Sequence, residues 1–183
     1  MSGPAVVVER ATALRGAVAT IPTAQAWRRC ALIYLAFLAC ALPIGVASGL
    51  LHIAIVPLTP SGAALALGAI LVHPAFTEEM IFRAALLPRR PASLARGRVA
   101  IAVFLALVLY VAAHPLNAWL FWPAALDVFA NAWYLALTTL LGLACTAAYF
   151  VSGSIWPCVL IHWATVSLWL FALGGQALLG GQK

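Results

Sequence analysis

VAIAVFLALVLYVAAH, residues 99–114, contains no Asp, Glu, Lys or Arg. Its length is close to the about 20 residues that a helix needs to cross a ~30 Å hydrocarbon core. The loop before it, PRRPASLARGR (88–98), carries Arg89, Arg90, Arg96 and Arg98. Basic residues in a short loop beside a span mark the cytoplasmic side. Working outward, similar apolar runs occupy about 30–55, 63–87, 128–151 and 155–173. Five spans are expected, with Pro43 kinking the first and Pro74 bending or restarting the second, because proline removes a donor and clashes with the preceding turn. Turns are expected at 57–62 and 152–154, and the Trp- and Pro-rich segment 115–127 suits a headgroup boundary.

Composition points the same way. Of 183 residues, 66% are apolar and 8% are charged, and mean hydropathy is +1.08. A soluble domain carries about 25% charged residues. That excludes an ordinary soluble domain, a disordered chain and a disulfide-built secreted module. The fold class expected is all-α, a polytopic transmembrane bundle of about five spans in a lipid bilayer, enclosing a polar intramembrane site. The expected divisions are a cytoplasmic or interfacial segment 1–27, a transmembrane domain 28–175 and a loose tail 176–183. No small-residue cleavage site follows a short apolar stretch, so the first run reads as a retained span. No internal repeat speaks for an inverted-repeat transporter.

The net charge of +6 and pI of 9.7 would suit nucleic-acid binding, but the distribution does not. Arg10, Arg15, Arg28 and Arg29 precede the first span, and the other cluster fills the 88–98 loop. No nucleic-acid partner is expected. The reading is N-inside and C-outside, in a multi-pass membrane protein placed in a prokaryotic plasma membrane. Cys30, Cys40, Cys145 and Cys158 form no CxxC pair and read as small packing residues.

The acids are Glu9, Glu78, Glu79 and Asp127. Ionisable residues inside a span cost roughly 2.5–3.5 kcal/mol each on insertion scales and are read as functional. Glu78, Glu79 and Arg83 lie in FTEEMIFRAALLP (76–88), His114 ends the third run and His162 lies within the fifth. On a helix Glu79 and Arg83 are i,i+4 neighbours that can pair. Glu78 is turned about 100° away and is left to face a cavity. A buried carboxylate with an imidazole nearby can deprotonate a water. A buried ion pair joining helices would account for Glu79 and Arg83 alone, but not for Glu78, His114 and His162. His52 and His73 read as structural.

These residues resemble the CPBP family of intramembrane endopeptidases, also called CAAX-protease or Abi-type proteins. Its first motif, two glutamates, three residues and an arginine, reads Glu78-Glu79-Met80-Ile81-Phe82-Arg83. Its second, an aromatic, three residues and a histidine, reads Tyr110-Val111-Ala112-Ala113-His114, with Tyr for the usual Phe. Its third is Ser152-Gly153-Ser154-Ile155-Trp156-Pro157 leading to His162. The resemblance covers roughly residues 60–170. One position departs: the family's asparagine four residues after the last histidine, a helper of the developing oxyanion, is here Val166, with Thr165 and Asn117 as other nearby donors.

The resemblance implies a hydrolase that cleaves a membrane-tethered protein or peptide without a covalent intermediate. Glu78 would be the base, His114 would hold the water, His162 would stabilise the oxyanion, and Glu79 and Arg83 would fix the helix. Eukaryotic relatives trim prenylated CAAX proteins. Bacterial ones serve peptide maturation, bacteriocin self-immunity or sorting-anchor processing. No cofactor is expected, although two Glu and two His could ligate zinc, for which the H-E-x-x-H signature is missing. The alternatives are a non-catalytic scaffold or immunity protein of the same fold, favoured by Val166, and a proton-coupled carrier. At about 1.5 Å per residue, Glu78 lies roughly 16 Å from Arg89 and His162 roughly 10 Å from the 152–154 turn, but His114 lies roughly 24 Å from Arg98. His114 is therefore expected to sit too deep unless its helix tilts or starts earlier.

Overall fold

A computed structural model of the chain describes residues 3–89 and 91–180, with side-chain surroundings from residue 10 onward except at 93. Arg90 of the basic loop and residues 181–183 of the tail lie outside the described residues. The main elements are α1 (Gly3–Ala19), α2 (Ala24–Ala47), α3 (Pro60–Ala85), α4 (Arg96–Phe121), α5 (Ala132–Ser152), α6 (Trp156–Ala172) and α7 (Gly175–Leu179). Helices α2, α3, α4 and α5 are long and apolar enough to cross a membrane, and α6 is a shorter apolar helix. The protein is an all-helical integral membrane bundle.

Local chemistry sets the helix starts. The hydroxyl of Thr23 accepts from Ala26 N (3.2 Å), Thr59 accepts from Gly62 N (3.1 Å) ahead of Pro60, and Asn131 accepts from Trp133 N (2.9 Å). Each satisfies an orphan donor of a first turn. Gly153, at φ +63°, ends α5 in a left-handed cap.

Four sequence expectations change. The first span ends at Ala47, not near residue 55. Gly49, at φ +77°, turns the chain, and Leu51 N closes on Gly45 O (2.9 Å). The following run then extends, with Ala54 N and Val56 N donating to Ala172 O (3.0 Å) and Phe171 O (2.9 Å) at the end of α6. Its β-branched Ile53, Ile55 and Val56 suit extended backbone, and a hydropathy window reads them as more span. The third span runs through Pro115 to Phe121, because packing holds the turn that proline weakens: Ala118 is buried. The fourth begins at Ala132, where the Asn131 cap restarts the helix after a short turn at Leu126–Phe129. The tail is not loose throughout, since α7 buries Gly175 and Leu179.

The core lies between α2, α5 and α6. Cys30, Ala41, Ala144, Cys145, Ala148 and Cys158 are buried there. Small side chains allow such close helix approach in a membrane. The thiols act as packing groups with weak bonds: Cys30 Sγ reaches Ala148 O (3.7 Å) and Cys158 Sγ reaches Cys145 O (3.1 Å). Cys40 is exposed. Leu32, Leu35, Ile101, Phe104, Trp119 and Phe121 are exposed on the outside of the bundle, where lipid rather than water suits them.

Helix α1 is strapped to one end of the bundle. Ile155 N donates to Ala17 O (3.0 Å), Ser154 Oγ to Thr20 O (2.7 Å) and Trp156 Nε1 to Val18 O (2.8 Å). Arg89 bonds Gly153 O (2.9 Å) and the Thr20 hydroxyl, and Arg10 reaches Ala85 O (3.2 Å). These two arginines thus tie down backbone carbonyls as well as adding to the positive end.

Candidate active site

Helix α3 supplies the acids. It breaks at His73, whose φ −140° and ψ 121° are extended, and winds on from Pro74, across a cis His73–Pro74 bond. His73 Nδ1 bonds the Thr77 hydroxyl (2.9 Å), which caps Pro74 O, and His73 stays on the surface as a structural residue. The restarted helix presents Glu78 and Glu79, then widens its winding over Met80–Ala85. Such widened turns are rare and recur at functional sites.

Glu79 and Arg83 are both buried and pair at 3.2 Å, Arg83 Nη1 to Glu79 Oε1. The guanidinium also donates through Nη2 to Gly142 O of α5 (3.0 Å), which takes the Thr146 hydroxyl as well (2.8 Å). Its Cζ lies 4.3 Å from the centroid of the Tyr110 ring, a cation–π contact that stabilises a desolvated arginine. Glycine at 142 lets α4 approach closely: a Cβ there would lie 2.6 Å from a Leu107 methyl and 3.0 Å from the Tyr110 ring, so both side chains would have to shift. Among the described residues, no lysine or other arginine reaches Glu79.

His162, on α6 and buried, joins the pair. Its Nδ1 lies 2.9 Å from Glu79 Oε1. A carboxylate oxygen only accepts, so Nδ1 carries the proton and the opposite nitrogen is aimed elsewhere. That nitrogen, Nε2, lies 3.9 Å from Glu78 Oε2. The separation is too long for a direct hydrogen bond and is of the kind a water spans. Glu78 is only 17% exposed, and its Oε2 has no hydrogen-bond partner. The two adjacent glutamates thus differ as the helix-face argument expects: one is tied, the other free.

His114 stands one turn of α4 beyond Tyr110. Its Nδ1 bonds Tyr110 O (2.9 Å), which again fixes the proton on Nδ1 and leaves Nε2 as an acceptor. The Tyr110 ring meets His114 edge-on at 5.0 Å and His162 at 6.2 Å, and so links the two histidines. α4 starts at Arg96, and Tyr110, not His114, is the residue level with Gly142 and Arg83.

Tyr110, His114 and His162 form one end of a cavity of about 100 Å³ between α2, α4, α5 and α6. Its remaining wall is almost wholly apolar, with Phe37, Leu51, Leu137, Val166, Trp169 and Leu173 among the lining residues. Thr165 lines it too, but its hydroxyl bonds Ile161 O (2.8 Å). Asn117 is exposed on α4, away from that wall. A zinc ion fits these donors poorly. Among the described residues no group of three or more His, Cys, Asp or Glu converges as ligands, and Glu79 Oε1 is shared between Arg83 and His162. A catalytic zinc takes three protein ligands and a water.

Sequence reasoning passed over Gly142 and gave Tyr110 only as a motif position. A lone glycine in an apolar helix carries no signal of a backbone carbonyl serving as an arginine's acceptor.

The fold and this cluster define a membrane-embedded protein with an acid–histidine–arginine constellation at the end of an apolar cavity. Over residues 59–168 the sequence matches the family model described as type II CAAX prenyl endopeptidase Rce1-like. The chain belongs to that family of CAAX-protease-like membrane proteases, in agreement with the CPBP resemblance. No curated protein and no solved structure matches it.

Proposed function

We propose that this protein hydrolyses a peptide bond of a membrane-tethered protein or peptide by means of a water activated by Glu78. The observation that carries the reading is the contrast between the two glutamates: Glu79 is held by Arg83 and His162, whereas Glu78 Oε2 is buried, unpartnered and faces His162 Nε2 at 3.9 Å. The water sits against Glu78, with the acceptor Nε2 of His114 orienting its second proton. Glu78 takes one proton as the water oxygen bonds the scissile carbon, and the carbonyl π pair moves onto its oxygen. His162 enters the step with one proton on Nδ1, held by the Glu79 carboxylate, and a second on Nε2 taken from solvent before the water adds, and through Nε2–H it donates a hydrogen bond to that oxyanion and keeps both protons. Collapse breaks the C–N bond, and the proton on Glu78 goes to the leaving amine. Glu79 and Arg83 position the base and the imidazole.

The substrate class follows the family, prenylated proteins ending in a CAAX sequence, and the apolar cavity is suited to a lipid-like or aliphatic group. The arginine-bearing end of the bundle, with Arg89 and the starts of α2 and α4, is the cytoplasmic end, in a prokaryotic plasma membrane. No metal or cofactor takes part.

One observation favours a second reading, a non-catalytic scaffold or immunity protein: the cavity wall carries aliphatic Val166 where the family places an asparagine. One experiment separates the two. The purified protein in liposomes is offered an S-farnesylated CAAX peptide and a membrane-anchored peptide, each with a fluorophore and quencher. Cleavage by the wild type should survive chelators and fall at least ~10³-fold in Glu78→Gln with unchanged melting. Equal signals from both proteins would reject the protease.

A further inference from the structure

The reaction just described leaves a developing oxyanion short of donors. Such a centre is normally met by preorganised donors, often two, and removing one costs about 10²–10³ in kcat. At the polar end of the cavity most N–H and O–H groups are already engaged. His162 Nδ1 is spent on Glu79, His114 Nδ1 on Tyr110 O, and Arg83 Nη2 on Gly142 O. The Thr165 hydroxyl donates to Ile161 O, and the Tyr134 and Thr138 hydroxyls are partners, one of them donating to the other. Val166 offers only methyl groups. The indole of Trp169 lies two turns of α6 beyond His162, about 10 Å further along.

Arg83 Nη1 faces Glu79 as an ion pair and does not line the cavity, so among the described side chains of the cavity wall the buried hydroxyl with no partner is that of Tyr110. Tyr110 is 1% exposed, and its Oη is buried with no hydrogen-bond partner. A phenol left unpaired in an apolar interior costs about 1–3 kcal/mol, so its retention calls for a reason. The ring lines the cavity, stands between the two histidines, and lies under the Arg83 guanidinium. The charges of Arg83, Glu78 and Glu79 all act on it. Every one of those packing contacts is made by the ring and would be kept by phenylalanine. Only the hydroxyl is surplus to the packing.

We propose that Tyr110 is a catalytic residue whose hydroxyl donates a hydrogen bond to the tetrahedral oxyanion, the partner of His162 in a two-donor site that does without a donor at position 166. The inference rests on the peptidase reading above and adds a residue to it. No proton is transferred from Tyr110. Its O–H bond stays intact while the carbonyl oxygen gains negative charge as water adds and loses it as the C–N bond breaks.

The test is Tyr110→Phe in liposomes with the farnesylated CAAX peptide, together with a phosphinate analogue of that peptide, whose tetrahedral oxygens mimic the oxyanion. The expected result is a kcat lower by about 10²–10³-fold at an unchanged KM. Affinity for the phosphinate should fall by a similar factor, and affinity for an uncleavable amide peptide should stay the same. A wild-type kcat, or equal losses for phosphinate and amide, overturns the proposal. If Tyr110→Phe does not fold, 3,5-difluorotyrosine at position 110 keeps the ring and strengthens the donor. Phosphinate affinity should then rise, and no change overturns the proposal. Wild-type protein that neither cleaves the peptide nor binds the phosphinate sinks the peptidase reading and this proposal together. Wild-type cleavage with an unaffected Tyr110→Phe sinks this proposal alone.

Discussion

Behind the Tyr110, His114 and His162 end of the cavity, Glu79 and Arg83 are buried with His162 and held by bonds to one another and to the backbone of α5. At the other end Phe37, Leu51, Leu137 and Leu173 line the wall with no polar atom between them. The polar end takes side chains from α3, α4 and α6 and a backbone carbonyl from α5, and each contact there has a defined direction. The apolar end is built from van der Waals surface, which has none. In the proposed reaction, geometry at the first end sets the rate, and volume at the second sets which chain is held. Changes at the two ends should therefore be separable, one acting on stability and kcat, the other on KM.

The largest effect should come from Arg83→Leu. It leaves Glu79 buried with only His162 beside it, and breaking one partner out of a buried pair costs about 3–5 kcal/mol. Thermal unfolding in detergent micelles would read this as a large fall in melting temperature. Arg83→Lys should not restore it, because a lysine lacks the fork that serves Glu79 and Gly142 O together. Were Arg83→Leu as stable as the wild type, the polar end would not be the bonded unit described. Next comes Gly142→Ala. The added methyl meets Leu107 and Tyr110, and overpacking costs about 1–3 kcal/mol. It should lower both melting temperature and kcat, since Tyr110 has to move, and an unaltered kcat would detach Tyr110 from the chemistry. The smallest effect should be that of Leu51→Trp at the apolar end. Filling the cavity there should raise KM for the farnesylated peptide by about tenfold, the scale of hydrophobic-pocket discrimination. Melting temperature and kcat should hold. A fall in kcat instead would mean that the two ends are coupled.

The same division governs what could be read from the sequence. The Glu79–Arg83 pair was legible because i,i+4 spacing is a local rule, and the freedom of Glu78 followed from the same geometry. The five apolar runs were legible because lipid selects composition over lengths of about 20 residues. The Glu79–His162 bond was not, since it joins residues 83 positions apart and depends on how α6 lies against α3. The level of His114 was not legible for a related reason, because rise per residue gives depth only when the helix start and its tilt are known. The extended stretch after α2 was hidden by its own composition, as Ile53 and Ile55 look the same to a hydropathy window in a strand or in a span. The short helix α7 is marked by no cap that a reader of sequence would find.

The pairing of Glu79 with Arg83 inside a single helix bears on how such a chain is made. α3 is synthesised long before α6, so His162 is not there when Glu79 first meets the bilayer. Two unpaired charges would each raise the cost of insertion by roughly 2.5–3.5 kcal/mol. With acid and base one turn apart on the same helix, the neutralising partner enters the membrane together with the charge. The segment can be accepted on its own account during biogenesis, and the finished site, which needs His162, comes into being only when α6 arrives.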